Sequence, residues 1–199
     1  MKSDKRNSNY RRIEKLIVDS FISLSTKKHY SQISVTELCD EAGVNRTTFY
    51  KHYHGTWEIK EGIANNLIVV AQRMDEIYEQ KNFLREPEYL FNAINKEIED
   101  NEEYYRSIFN MQGSGEFKNL IVNEIKRLMT KNYPTLDFDN PTTYKVFSIV
   151  VGGIIVTYSE WFYSNLKCSL KELSDSLIRY VKLIAPHLPY DIITKKEMG

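Results

Sequence analysis

Apolar residues recur along this chain at three- and four-residue steps, and no convincing two-residue alternation interrupts them. That spacing is the mark of amphipathic helices. Ile13, Leu16, Ile17, Phe21 and Leu24 predict a first helix from about Tyr10 to Lys27. Ser34-Val35-Thr36-Glu37 reads as a capping box, with the Ser34 hydroxyl and the Glu37 carboxylate each satisfying a free amide at a helix start. Gly43 closes that short helix, and Asn45 offers the cap of another, predicted over Asn45–Tyr53. From Trp57 a longer stripe follows through Ile63, Leu67, Val70 or Ala71, Met74 and Ile77, with breaks at Asn82 and Glu86-Pro87. Helices are then expected to Glu99, over Asn101–Asn110, and from Phe117 to just before Tyr133-Pro134, with Gly113-Ser114-Gly115 as an interruption. Asn140-Pro141 starts a helix to about Tyr163, and the box Ser169-Leu170-Lys171-Glu172 starts one to about Ile184, stopped by Pro186. The expectation is an all-α chain of about nine helices.

Composition narrows the classes. The 199 residues are 42% hydrophobic, enough to bury a core in one domain or two small ones. Lys+Arg and Asp+Glu balance at 27 each, which excludes a uniformly basic coat for nucleic acid. Residues 1–60, however, hold 11 Lys/Arg against 7 Asp/Glu, and the rest of the chain carries the matching surplus of acids. Cys39 and Cys168 form no metal or disulfide pattern, and Cys39 falls where a small residue lets helices pack closely. Met1–Tyr10 lacks the apolar core of a signal peptide. The longest apolar run, Val146–Val156, is shorter than the roughly 20 residues that span a bilayer. A cytoplasmic protein without membrane association is expected.

The chemistry concentrates between Ser34 and Tyr53. Two short helices meeting at a glycine turn make a helix-turn-helix, with Leu38, Val44 and Phe49 fixing the angle between them. The second helix displays Arg46, Thr47, Thr48, Tyr50, Lys51 and His52, while Phe49 and Tyr53 are spaced to point inward. Such a helix suits the major groove. Arg46 can grip a guanine edge, Thr47 can touch a thymine methyl, and Tyr50, Lys51 and His52 suit phosphates. Ser34, Thr36 and Asn45, at the two helix starts, complete the candidate DNA contacts of this motif.

These residues carry a resemblance. Ser34-Val35-Thr36-Glu37-Leu38, Ala42-Gly43-Val44 and above all Thr48-Phe49-Tyr50-Lys51-His52-Tyr53 resemble the TetR/AcrR family of one-component transcriptional regulators. The likeness is close over about Tyr10–Ile63, and the helical pattern extends it to the rest. The family usually opens its fourth helix with a lysine; here the stretch is Gly55-Thr56-Trp57-Glu58. Thr56 is expected to cap that helix and offer a hydroxyl to a phosphate, with less salt sensitivity than a cation gives. Gly152-Gly153-Ile154, Glu160-Trp161-Phe162 and the Ser169–Leu173 start resemble the subgroup of the dihydroxyacetone-kinase operon regulator.

The resemblance implies residues 1–55 as a three-helix DNA-binding domain and 56–199 as a helical ligand-binding and dimerisation domain. It implies a homodimer through Thr142–Tyr163 and Leu170–Ile184 that binds an inverted-repeat operator in double-stranded DNA. The first of those helices is apolar nearly all round in its middle, and Gly152 and Gly153 suggest either close helix approach or a kink there. The family also implies a small-molecule effector held by aromatic side chains, for which Tyr105, Phe109, Tyr158 and Trp161 are candidates; each also fits plain core packing. Release of a repressor from DNA by that effector is the expected mechanism. The alternative is a DNA-binding activator or interaction module controlled by a protein partner, favoured by a filled interior behind Tyr105 and Trp161. No catalytic motif, cofactor fingerprint or metal-ligand spacing is present: His52 and His54 fall on different helix faces. No enzymatic activity is expected.

Overall fold

A computed structural model describes residues 2–80, 85–132, 137–164 and 166–187, which contain nine α-helices, two short 3-10 turns and no strand. The chain divides into two compact units, residues 1–66 with 106–115, and residues 67–105 with 116–199.

In the first unit α1 spans Lys2–Lys27, a start eight residues earlier than the apolar pattern predicts. Residues 2–9 contain no glycine, proline or apolar side chain, so they can continue a helix without contributing to its stripe. Ile17, Phe21, Ile22 and Leu24 are buried. A 3-10 turn at Tyr30–Gln32 follows, capped by His29 Nδ1, which accepts from the Ser31 amide. α2 is Val35–Ala42. Ser34 Oγ accepts from the Glu37 amide at 3.2 Å, but the Glu37 carboxylate takes Lys28 Nζ at 2.5 Å instead of reaching back. The expected capping box is therefore half of one. Gly43, at φ 64°, ends α2 in the left-handed region.

α3 is Arg46–Phe49, much shorter than expected. The amides of His52 and Tyr53 both bond to the Phe49 carbonyl at 2.9 Å, so the helical register ends there and Tyr50–His52 form a tight turn. α4 spans Thr56–Gln80, with Ile59 and Ile63 buried in the first unit. Residues 106–115 complete this unit: the Gln112 amide donates to the Ser25 carbonyl at 2.7 Å. Gly113, at φ 92°, lies so close to the 3-10 turn that a Cβ would sit 2.6 Å from His29 Nε2 and 2.7 Å from Tyr30 Cε1.

Along the rest of the chain α5 is Pro87–Asp100, α6 Glu102–Asn110, α7 Gly115–Asn132, α8 Pro141–Phe162 and α9 Leu170–Ile184. The predicted breaks at Asn82 and Tyr133-Pro134 lie outside the described residues. Asn140 accepts from the Thr142 amide at 2.8 Å ahead of Pro141, and Ser169 and Glu172 form the full reciprocal box. Past Ile184 the chain tightens into a 3-10 turn, Ala185–His187, that includes Pro186. The second unit buries Phe91, Phe117, Phe147, Phe162, Leu173 and Val181 among others. One polar chain crosses this core. Tyr158 of α8 donates to Asn95 Oδ1 of α5 at 3.2 Å, and Asn95 Nδ2 donates to Ser174 Oγ of α9 at 2.7 Å.

α8 differs from the sequence reading in one respect. As a whole helix of 22 residues with an 18-residue stretch of mean hydropathy 1.3, it is long and apolar enough to cross a membrane by length and composition, and 39% of that stretch is buried in the fold. Among the described residues, Gly152 and Gly153 have no neighbour within 4 Å of where a Cβ would lie, which leaves that surface of the helix open.

The two left-handed glycines should separate in a mutational test. Gly43→Ala meets open space and should lose about 1–2 kcal/mol from backbone strain alone. Gly113→Ala adds a collision with His29 and Tyr30 and should lose more, with urea unfolding as the measurement. Equal losses would show that the crowding at Gly113 relaxes without cost.

Candidate nucleic-acid interface

The candidate site is the α2–turn–α3 segment with the start of α4. Its geometry begins with Phe49, fully buried, its ring 5.4 Å from Tyr50 edge-on and 6.0 Å from Tyr53. With Phe49 inward, the helical period turns Thr47 to the opposite side, while Arg46 and Tyr50 flank the ring at the two ends of α3. All three are exposed, as are Lys51, Ser34, Thr36 and Asn45, while Thr48, His52 and Thr56 are half-buried. Asn45 Oδ1 accepts from the Thr48 amide at 2.8 Å and Ser34 Oγ caps α2, so both of these oxygens organise helix starts. Cys39 is buried against the turn, and burial raises its thiol pKa, in keeping with a packing role.

The Arg46 guanidinium lies 6.0 Å from the Tyr50 ring, and a hydrogen bond with Tyr50 raises its pKa further. Two groups able to meet a base or a phosphate are thus held side by side. His52 is placed differently from the sequence reading. Its ring stacks on Tyr10 of α1 at 4.0 Å, and its Nδ1 is enclosed with no hydrogen-bond partner among the described residues. It joins α1 to the turn as a packing element. Tyr53 is also half-buried, and burial pushes its pKa up to about 12, so it remains neutral.

At the start of α4 the visible cap comes from Glu58. Its Oε2 accepts from the His54 amide at 2.6 Å and lies 3.0 Å from His54 Nδ1, contacts that lower the Glu58 pKa. Thr56 is the first helical residue and was expected to cap. The overlooked signal was the acid at the third helical position, where carboxylates reach back to the helix entrance. Trp57, 57% exposed, lies over Gly55, where a Cβ would be 2.7 Å from its indole.

The four aromatic candidates for an effector site divide between the units. Phe109 belongs to the first and is half-buried. Tyr105, Tyr158 and Trp161 are buried in the second, with their polar ends occupied: Tyr105 donates to Glu97 at 2.8 Å, Tyr158 to Asn95, and Trp161 to the Cys168 carbonyl at 2.9 Å. Burial raises the pKa of both tyrosines, with the Glu97 bond adding to it at Tyr105. An open cleft of about 600 Å³ lies elsewhere in that unit, between Thr157 of α8 and the Glu172, Ser176 and Tyr180 side of α9, with Cys168 at its edge. None of the four lines it, and periodicity alone gave no sign of it. Among the described residues no group of three His, Cys, Asp or Glu side chains could hold a metal ion.

Among solved structures, the crystal structure of a TetR transcriptional regulator from Streptococcus agalactiae 2603V is similar over 90% of this chain and 98% of its own, with a TM-score of 0.55 and 19% sequence identity. The two chains share a fold. No protein-family model matches the sequence, and no curated protein matches it. The likeness therefore establishes an all-α, TetR-type architecture.

The Glu58 cap carries a pH signature. Its folded-state pKa lies below the unfolded value, so its contribution is present above that unfolded value and is lost as pH falls through the folded one. Glu58→Gln should therefore be less stable than the native protein at about pH 7, with the gap closing toward about pH 3. Urea unfolding across that range measures it; a pH-independent gap would mean that the carboxylate charge is not what stabilises this helix start.

Proposed function

We propose that the protein is a TetR-family transcriptional regulator, a cytoplasmic homodimer that binds an inverted-repeat operator, represses transcription, and is released by a small-molecule effector. The observation that carries the DNA-binding part is the exposed row Arg46, Thr47 and Tyr50, with Lys51, held over the buried Phe49 at the end of a glycine turn. Arg46 reads a base edge, Thr47 a methyl group, and Tyr50 and Lys51 grip phosphates. Ser34, Thr36, Thr48 and Thr56 contribute backbone contacts from the helix starts, within a DNA-binding domain of residues 1–55. Residues 56–199 receive the effector and pair the subunits.

Dimerisation is supported by the outer face of α8 and α9. Ile149, Val156 and Leu183 are 62%, 59% and 69% exposed, and Gly153 between the first two leaves room for a partner helix. Apolar surface of this kind marks an interface. A two-fold pair sets two recognition segments about one DNA turn apart. The effector part has a rival. Tyr105, Tyr158 and Trp161 are closed against their own partners, which favours control by a protein partner over an effector lodged among them.

Selection from a random duplex pool tests the first part, with an inverted repeat as the expected product; recovery of no sequence would remove the operator reading. On the selected site Arg46→Ala should lose about 1–3 kcal/mol and relax one base position. An equal loss on random DNA would make Arg46 a phosphate contact. Ile149→Glu with Val156→Glu should give a monomer in sedimentation and weaken operator binding; a double variant that still dimerises would move the interface off α8. With the operator as probe, release by a metabolite pool supports the effector, and release by a protein fraction alone supports the rival.

A further inference from the structure

The positive surplus of the first 60 residues is not spread over the helix-turn-helix. Within residues 1–12, Lys2, Lys5, Arg6, Arg11 and Arg12 face a single acid, Asp4, whereas residues 13–60 hold six cations and six acids. Several of those later cations are engaged: Lys15 with Asp19 at 2.6 Å, Lys28 with Glu37, and Lys60 over the Tyr30 ring at 4.9 Å. The recognition segment itself supplies only Arg46 and Lys51. Duplex DNA binding draws much of its affinity from neutralised phosphates, and two cations per subunit provide little of that.

The sequence carries the missing charge at the start of α1, and the structure fixes that helix to the site. α1 is helical from Lys2, so residues 2–12 form a rod of about 15 Å. Tyr10, stacked on His52 at 4.0 Å, fixes that rod to the turn that follows α3. Arg11 and Arg12 are exposed, and among the described residues Arg12 has only a 3.4 Å bond to the neutral Asn9.

We propose that the first three turns of α1 are a phosphate-gripping arm that supplies most of the electrostatic affinity for duplex DNA, on the strand backbone flanking the bases met by Arg46. This rests on the DNA-binding reading above. The arm positions the protein without reading sequence, so it acts equally on every duplex.

The test uses the full chain and two duplexes, the selected site and a scrambled one, titrated between about 50 and 200 mM salt. Lys5→Gln/Arg6→Gln/Arg11→Gln/Arg12→Gln should lose affinity by the same factor on both. Its salt dependence should be shallower by about 0.9 in log–log slope for each phosphate that is no longer neutralised, so that two fewer phosphates shrink the affinity drop across that range about tenfold. Arg6→Lys/Arg11→Lys/Arg12→Lys should keep the native slope, because a phosphate accepts either cation. Should the quadruple variant misfold by circular dichroism, Arg11→Gln/Arg12→Gln reads the same slope from two exposed positions. An unchanged slope with intact DNA binding overturns the arm alone, as does a loss confined to the selected site. Absence of duplex binding by the native protein at every salt overturns the DNA-binding reading and the arm with it. Binding of the native arm to anionic phosphatidylserine vesicles, with DNA affinity unaltered in the variants, assigns these cations to a lipid surface and overturns the proposal.

Discussion

Burial of Phe49 is the constraint on which the first unit's surface depends. α3 is only four residues long, far too short to be stable as an isolated helix. It exists because Phe49 is driven into the core shared with Ile17, Phe21, Leu38 and Ile59, all almost fully buried, and because Asn45 closes its first turn. Removing a buried phenylalanine typically destabilises a domain by about 3–5 kcal/mol, much more than any contact α3 makes on its own. With that ring inward, Thr47 faces out, and Arg46 and Tyr50 stay exposed at its edges. The left-handed Gly43 then sets where α3 leaves α2. The candidate DNA face is in this sense the outer side of a packing decision.

Local chemistry was the legible part of the fold. Ser34, Asn45, Asn140 with Pro141, and Ser169 with Glu172 each cap the helix that their neighbours suggested, because a cap involves only the next two or three amides. The misread features depend on residues farther along the chain or on backbone detail with no side-chain signal. Glu37 abandons its box for Lys28, nine positions away, where a full charge is a better partner than an amide. α3 stops at Phe49 because two successive amides converge on one carbonyl, which no residue type announces. α1 begins early because polar residues continue a helix as well as apolar ones do, leaving periodicity blind to its first turns.

The candidate site divides in the same way. The outward residues of the motif were legible from period and cap alone. His52 was not, since its stacking on Tyr10 joins positions 42 residues apart, and the imidazole that looked free is half enclosed. The aromatics of the second unit illustrate the point most fully. Tyr158 is 63 positions from Asn95, and only the fold reveals that its hydroxyl is already taken. An aromatic whose polar end is satisfied internally stabilises a core, and a ligand arriving there would have to replace a buried hydrogen bond.

The same polar chain bears on how α8 is to be understood. Length and hydropathy would let this helix span a bilayer, yet its Tyr158 is bonded to α5 and through Asn95 to Ser174 of α9. α9 carries Lys171, Asp175 and Lys182 on its exposed side, the first two paired with each other at 2.7 Å. Insertion of α8 into lipid would either break that buried chain, leaving Asn95 and Tyr158 to find new partners, or carry charged α9 into hydrocarbon, which is costly. The exposed aliphatic surplus of α8 is one-sided, on the face bearing Ile149 and Val156, while Phe147, Val150 and Tyr158 face the core. A one-sided surplus is met by one matching surface. In the proposed homodimer, a second copy of the same face, brought up by a two-fold axis, would cover it without disturbing a single bond inside the unit.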